Sequence, residues 1–203
     1  MARKSDIPGR VVEAALRLAA EQGWRRTSMA DIAAEAELDL AKVYQAVPGK
    51  AAVLAHFLRR IDEAMLAEGG AEPEADARDR LFEVVMRRFD ALTPRKDGVA
   101  AILRGGVGDP LTLACTGLAY RRSLNWMLEA AGIGTSGPCG ALRRAGLAAV
   151  MASTVRLWLK DESEDMAATM AHLDKQLDRA EWLATRVWRG RRRDADEGEP
   201  EAA

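Results

Sequence analysis

Aromatic residues are scarce in this sequence, at 5% of 203 residues, while hydrophobic residues reach 48% with Ala and Leu abundant. That mixture favours helix over sheet, and no strand-like alternation of apolar and polar residues stands out. Cysteine is rare too. Cys115 and Cys139 lie far apart and form no CxxC pair, so neither a disulfide framework nor a zinc ribbon is indicated, and both read as reduced structural residues. Histidine is limited to His56 and His172, which fall on different helical segments. The HExxH and GxSxG patterns are absent. No catalytic residue, metal site or cofactor is expected, and the chain does not read as an enzyme. A net charge of −1 supplies no global basic field to draw it to nucleic acid. No apolar run reaches the roughly 20 residues that span a bilayer. MARKSDIPGR, at the start, lacks the apolar segment of a signal peptide, so a cytoplasmic protein is expected.

What is present is helix after helix. The first opens near Ser5 or Asp6, carries Pro8 in its first turn, repeats Val11, Ala14, Ala15, Leu18 and Ala19 at helical spacing, and ends at Gly23. Ser28 is placed to cap a second helix, with Asp31 three residues on. Asp39 is placed to cap a third, which stops at Pro48-Gly49. A fourth runs from about Lys50 to Ala67. Residues 68 to 77, EGGAEPEADA, form a polar hinge and mark a domain boundary. The expected units are residues 1–67, residues 78–189, and a disordered tail from 190 to 203.

Beyond the hinge the helices are longer and more apolar. Residues 78 to 93 carry a wide stripe of Leu81, Phe82, Val85, Met86, Phe89 and Leu92. A short segment follows around Val99 to Leu103. RGGVGDP is a helix break and not a phosphate loop, because no strand precedes it. A helix from Pro110 to about Ala131 follows, then a loop, GIGTSGPCG. The helix from Ala141 to Lys160 is rich in small residues, Ala145, Gly146, Ala148, Ala149 and Ala152 among them, which suits a close helix pair. In the last helix, from near Ser163 to Trp188, Met166, Met170, Leu173, Leu177, Ala180, Ala184 and Val187 alternate in steps of four and three. This heptad-like seam fits either intrachain packing or dimerisation. Trp182 lies roughly opposite it, and reads as simply exposed, as part of a second interface, or as a membrane-touching residue. The acids from Asp161 to Asp165 complement a helix N-terminus.

Residues 28 to 50, SMADIAAEAELDLAKVYQAVPGK, hold a helix-turn-helix, the arrangement that positions one helix for a DNA major groove. Four acids, Asp31, Glu35, Glu37 and Asp39, stand against Lys42 and Lys50, a net −2. Residues 1 to 26 offset this with six bases and three acids.

The order of parts, with Thr27-Ser28-Met29-Ala30-Asp31-Ile32-Ala33 and Tyr44-Gln45-Ala46-Val47-Pro48-Gly49-Lys50, resembles the N-terminal domain of the TetR family of transcriptional regulators. The resemblance implies an all-α TetR-like fold, a small helix-turn-helix domain followed by a larger helical bundle. It implies backbone contacts to double-stranded DNA from Thr27, Ser28, Tyr44 and Lys50, with Arg25 and Arg26 adding charge. It also implies base reading by Lys42 and Gln45. Asp39, Leu40, Ala46 and Val47 depart from the family's usual residues.

The second half carries another resemblance. MRRFDAL, WMLEAAGI and the stretch from Val155 to Glu181 are similar to the lipid-binding accessory protein of ubiquinone biosynthesis, a family itself built on a TetR-like fold. This implies an apolar pocket for a lipid or isoprenoid-like ligand, with Met86, Phe89, Trp126, Met127, Met151 and Trp158 as candidate lining. Met and aromatic residues simply filling the core is the other reading of the same positions. Ala145, Ala149, Met170, Leu173, Leu177 and Ala184 are the candidate homodimer interface. Two functions follow: a ligand-responsive DNA-binding regulator, or a lipid-binding accessory protein whose helix-turn-helix is scaffold only and which touches the membrane surface.

Overall fold

The computed structural model describes residues 6–67, 69, 74–105 and 110–196, with the backbone alone for 110–115, 183–185 and 187–196. Among these it is all helical. Helix α1 (Ile7–Gln22), a 3-10 turn (Trp24–Arg26), α2 (Met29–Glu35), α3 (Leu40–Ala46) and α4 (Lys50–Ala67) make up the first half. Helix α5 (Ala77–Leu92), a second 3-10 turn (Thr93–Arg95), α6 (Lys96–Gly105), α7 (Pro110–Ala130), α8 (Gly137–Trp158) and α9 (Ala167–Asp196) make up the second.

Local chemistry sets these boundaries. The Asp6 carboxylate accepts from the Gly9 N–H at 3.0 Å, closing the start of α1, and that bond, with Arg60 beside it, holds the carboxyl below its usual range. Ser28 and Asp31 form a reciprocal capping box. Helix α1 ends at Gly23, whose φ of 87° belongs to the left-handed region.

Helix α1 is the hub of the first half. Val11, Val12, Ala14, Ala15, Leu16 and Ala19 are buried against α2, α3, α4 and α6. The approach of α6 is close: a Cβ on Gly98 would lie 2.8 Å from the Leu16 carbonyl oxygen. Helix α4 packs on α5 and α7, and α9 on α8 and α5, so one apolar core joins the two halves; residues 68 and 70–73 of the expected hinge lie outside the described residues.

Boundaries differ from expectation at the start of α8 and at both ends of α9, which opens at Ala167 and not near Ser163, after Met166 with its φ of 53°. Helix α8 starts at Gly137, inside the stretch expected to be loop, because Pro138 fits a first helical turn. Helix α9 continues to Asp196, past the expected start of the tail, and residues 197–203 lie outside the described residues. Among the described residues no helix is long and apolar enough to cross a membrane, and no group of His, Cys, Asp and Glu could hold a metal ion.

Candidate nucleic-acid interface

Helix α3 is short, and its buried side is Val43. Lys42 and Gln45 project to solvent, joined by Leu40 at 51% exposure and Tyr44 at 70%. Two large apolar or aromatic side chains left in water beside Gln and Lys make a contact face. Arg25 and Arg26 on the 3-10 turn are also exposed.

Other expected DNA contacts sit differently. Thr27 is buried at 2% exposure, and its hydroxyl donates to the Gly23 carbonyl at 3.1 Å. The Lys50 ammonium donates to the carbonyls of Trp24 at 2.5 Å and Thr27 at 2.9 Å, and lies 4.3 Å from the centre of the Trp24 ring. Lys50 therefore ties the start of α4 to the turn before α2, and Thr27 braces the same turn. Ser28 is exposed but works as the α2 cap: its N–H and hydroxyl both donate to Asp31. These bonds hold the Asp31 carboxyl below its usual range.

The acids of the helix-turn-helix have local partners. Glu35 pairs with Arg17 at 3.0 Å, Glu37 with Arg10 at 4.0 Å, and Asp39 with Lys42 at 3.1 Å. Arg10 also donates to the Ala36 and Glu37 carbonyls. The net −2 of the segment is thus offset by two arginines of α1. Arg17 did not figure among the sequence candidates, yet it follows Arg10 by seven residues, a spacing that puts both on one helix face. Between α1 and the α2–α3 turn lies an open, charged cleft of about 720 Å³, lined in part by Arg10, Arg17, Glu35, Glu37 and Arg60. Glu37 sits in the turn with φ of 52°, an unusual conformation for a residue with a side chain.

In the second half, Phe89, Met127, Met151 and Trp158 are all buried, and the Phe89 and Trp158 rings are 5.6 Å apart. Met86 is half-buried. Trp126 is 45% exposed, on the solvent side of α7. Of the interface candidates, Leu173 and Leu177 are buried within the single chain, against α8 and α5. That leaves Ala145 and Ala149 exposed on α8, with Met170 half-buried on α9. The side chain of Ala184 lies outside the described residues, as do Arg3 and Lys4.

Residues 11–57 match the family model for bacterial regulatory proteins of the tetR family. That match runs from α1 to the middle of α4 and takes in the whole helix-turn-helix. A second model, COQ9, matches residues 142–184, which cover most of α8 and the first half of α9. No curated protein matches the chain. Among solved structures, the chain is similar to a TetR transcriptional regulator from Nitrosomonas europaea, with 23% identity, a TM-score of 0.70, and 88% of this chain and 99% of that one covered. It is similar to a TetR regulator from Rhodococcus sp. RHA1 at 19% identity, with a TM-score of 0.64 and coverages of 88% and 97%. It is also similar to the transcriptional regulator FadR from Bacillus subtilis, solved in complex with stearoyl-CoA, at 17% identity, a TM-score of 0.57 and coverages of 83% and 96%. At these identities the likeness shows a TetR-like fold. Both halves share it: a helix-turn-helix unit on α1–α4 and a helical bundle on α5–α9.

Proposed function

We propose that this protein is a one-component transcriptional regulator without catalytic activity. It acts in the cytoplasm as a homodimer that binds double-stranded DNA. The observation that carries the reading is the exposed face of α3, with Lys42, Tyr44 and Gln45, inside a domain that matches the tetR family. A dimer presents two such helices at half-sites about one DNA turn apart. Lys42 and Gln45 read base edges, while Arg25, Arg26, Ser28 and Tyr44 meet the backbone. Thr27 and Lys50 serve the same surface indirectly by holding the turn that carries it. Dimerisation uses the small-residue face of α8 at Ala145 and Ala149, with Met170 of α9.

The C-terminal half takes a small apolar ligand among Met86, Phe89, Met127, Met151 and Trp158. A ligand changes DNA affinity only by binding the DNA-competent and incompetent states unequally. Fluorescence anisotropy against duplex DNA from upstream of the protein's own gene, at two salt concentrations, tests the reading. Salt-dependent binding that Gln45→Ala relaxes in base preference is expected. Absent or salt-independent binding removes it.

One observation favours a second reading, the COQ9 match over residues 142–184. In it the chain is a lipid-binding accessory protein of ubiquinone biosynthesis. Native mass spectrometry of gently purified protein separates the two: no co-purified lipid and no binding of isoprenoid quinones counts against the accessory role.

A further inference from the structure

Helix α6 ends against the turn that precedes the helix-turn-helix. A Cβ on Gly105, its last residue, would lie 3.0 Å from the Trp24 Cβ and 3.5 Å from the Arg25 backbone nitrogen. A residue without a side chain lets the helix end come this close. Consecutive Cα atoms are about 3.8 Å apart, so Arg104 stands beside the turn that carries Arg25 and Arg26, although it belongs to the other half of the chain. All three arginines are exposed. Arg26 donates through Nε to the Gln22 carbonyl at 2.6 Å, which uses one of its five N–H donors. Among the described residues neither Arg25 nor Arg104 makes a hydrogen bond or an ion pair. With Glu21, an exposed acid in the last turn of α1, the group carries a net +2.

The platform under these arginines is braced. Trp24 is buried, its carbonyl and that of Thr27 accept from Lys50, and the Thr27 hydroxyl donates to Gly23. Ser28, the cap of α2, follows at once. A cation in the last turn of a helix meets the negative end of the helix dipole, and that alone would account for Arg104 on α6. It does not account for α6 being pressed onto a turn that already holds two arginines, where like charges repel. An anion shared among the three relieves that repulsion.

We propose that Arg104 contacts the DNA backbone together with Arg25 and Arg26, so that the phosphate-binding flank of the interface is built from both halves of the chain. The inference rests on the DNA-binding reading above and adds a residue well outside the matched segment, which stops at residue 57. Phosphate contacts fix position without reading sequence, so Arg104 contributes affinity and salt dependence but no base preference.

The test titrates the full-length protein by fluorescence anisotropy with duplex DNA from upstream of its own gene and with an unrelated duplex, between about 50 and 200 mM salt. Arg104→Ala is expected to flatten the slope of log affinity against log salt by about 0.9 per protomer, and to weaken binding by a dimer at least roughly ten-fold at about 100 mM salt, alike on both duplexes. Arg104→Lys keeps the charge and is expected to keep the slope. Arg122→Ala removes the same charge elsewhere. Arg122 is exposed on α7 beside Ser123, which bonds Asp62, about 18 Å further along α4 than Lys50, and the slope of this variant should match the parent's. An unchanged slope in Arg104→Ala, with or without a lowered thermal midpoint, confines Arg104 to the end of α6 and overturns the proposal. An equal loss in Arg122→Ala makes the effect one of net charge and overturns it too. In both cases salt-dependent binding by the parent protein leaves the regulator reading standing. A parent that binds neither duplex defeats both.

Discussion

Replacing Asp39 by Ser should turn a weakly charged reading helix into a stronger one. Asp39 stands at the N-cap of α3 but makes no capping hydrogen bond with its side chain. Its carboxylate instead holds Lys42 at 3.1 Å, with both side chains well exposed. An exposed pair of this kind is worth no more than about 1 kcal/mol, and Ser is itself among the favoured N-caps, so stability should hardly change. On DNA the substitution acts twice. It removes an anion from beside the phosphates, and it frees Lys42. A unit charge at about 7 Å in water contributes roughly 0.6 kcal/mol. The two effects together then give about 1 kcal/mol per protomer, or roughly 2 kcal/mol and about thirty-fold for a dimer at low salt.

If Lys42 makes a new phosphate contact, the slope of log affinity against log salt should steepen by about 0.9 per protomer. Most of the gain should therefore vanish on going from about 50 to 200 mM salt. Anisotropy titrations of Asp39→Ser and the parent protein across that range provide the measurement. An unchanged affinity and slope, with the thermal midpoint retained, would refute the assignment of α3 to DNA and not merely the magnitude.

The remaining predictions concern the scaffold that holds α3. Lys50→Met should lower stability by about 2–3 kcal/mol, since the carbonyls of Trp24 and Thr27 lose a charged donor. For a chain of this size the thermal midpoint then drops by roughly 5–10 °C, whereas a lysine that served only phosphates would leave the midpoint in place. Gly98→Ala should cost about 1–3 kcal/mol in thermal denaturation, because the added Cβ meets the Leu16 carbonyl of α1 at 2.8 Å and backbone cannot step aside cheaply. Asp161 accepts hydrogen bonds from the hydroxyls and N–H groups of Ser163 and Thr169, which hold its carboxyl far below the usual carboxylate range. A folded-state pKa depressed in this way gives stability that is present above the unfolded value of about 3.9 and is lost as pH falls toward the folded one. Asp161→Asn should therefore cost about 2 kcal/mol at pH 7, and the gap to the parent protein should start to narrow below roughly pH 4 and go on narrowing as pH falls further in denaturant melts; a gap that stays constant from pH 7 into the strongly acid range would contradict the account.

Much of the first half was legible because its signals are local. Asp6, Ser28 and Gly23 act within four residues of the backbone groups they satisfy, and Pro48-Gly49 interrupts the helical pattern directly. The start of α8 was not legible for the opposite reason. Gly137-Pro138-Cys139-Gly140 has loop composition, yet a Cβ on Gly140 would fall 2.0 Å from the Thr135 carbonyl oxygen, so the glycine serves close packing at a helix start. The seam of α9 was visible as a pattern, but periodicity does not say which surface a stripe faces. Leu173 and Leu177 turn out to fill the chain's own core. At the candidate site, sequence order put Thr27 and Lys50 in register with DNA-contacting residues. Their donors are committed to backbone carbonyls 4 to 26 residues away, a matter of tertiary geometry. The Asp62–Arg88 pair, 26 residues apart on two helices, leaves no local trace at all.

The two halves meet along two routes of different character, and the difference bears on how a ligand could act. At α1 and α6 the contact is steric and rigid. Gly98 sits against the Leu16 carbonyl, and Arg95 binds the Glu13 carboxylate with both Nε and Nη2. A contact already at its closest approach transmits a push but cannot tighten. At α4, α5 and α7 the contact is polar, with Arg88 and Ser123 both donating to one oxygen of Asp62. Helix α4 begins at Lys50, directly after α3, so a displacement at Asp62 would reach α3 through one continuous helix, whereas one at Gly98 meets a contact that cannot close further.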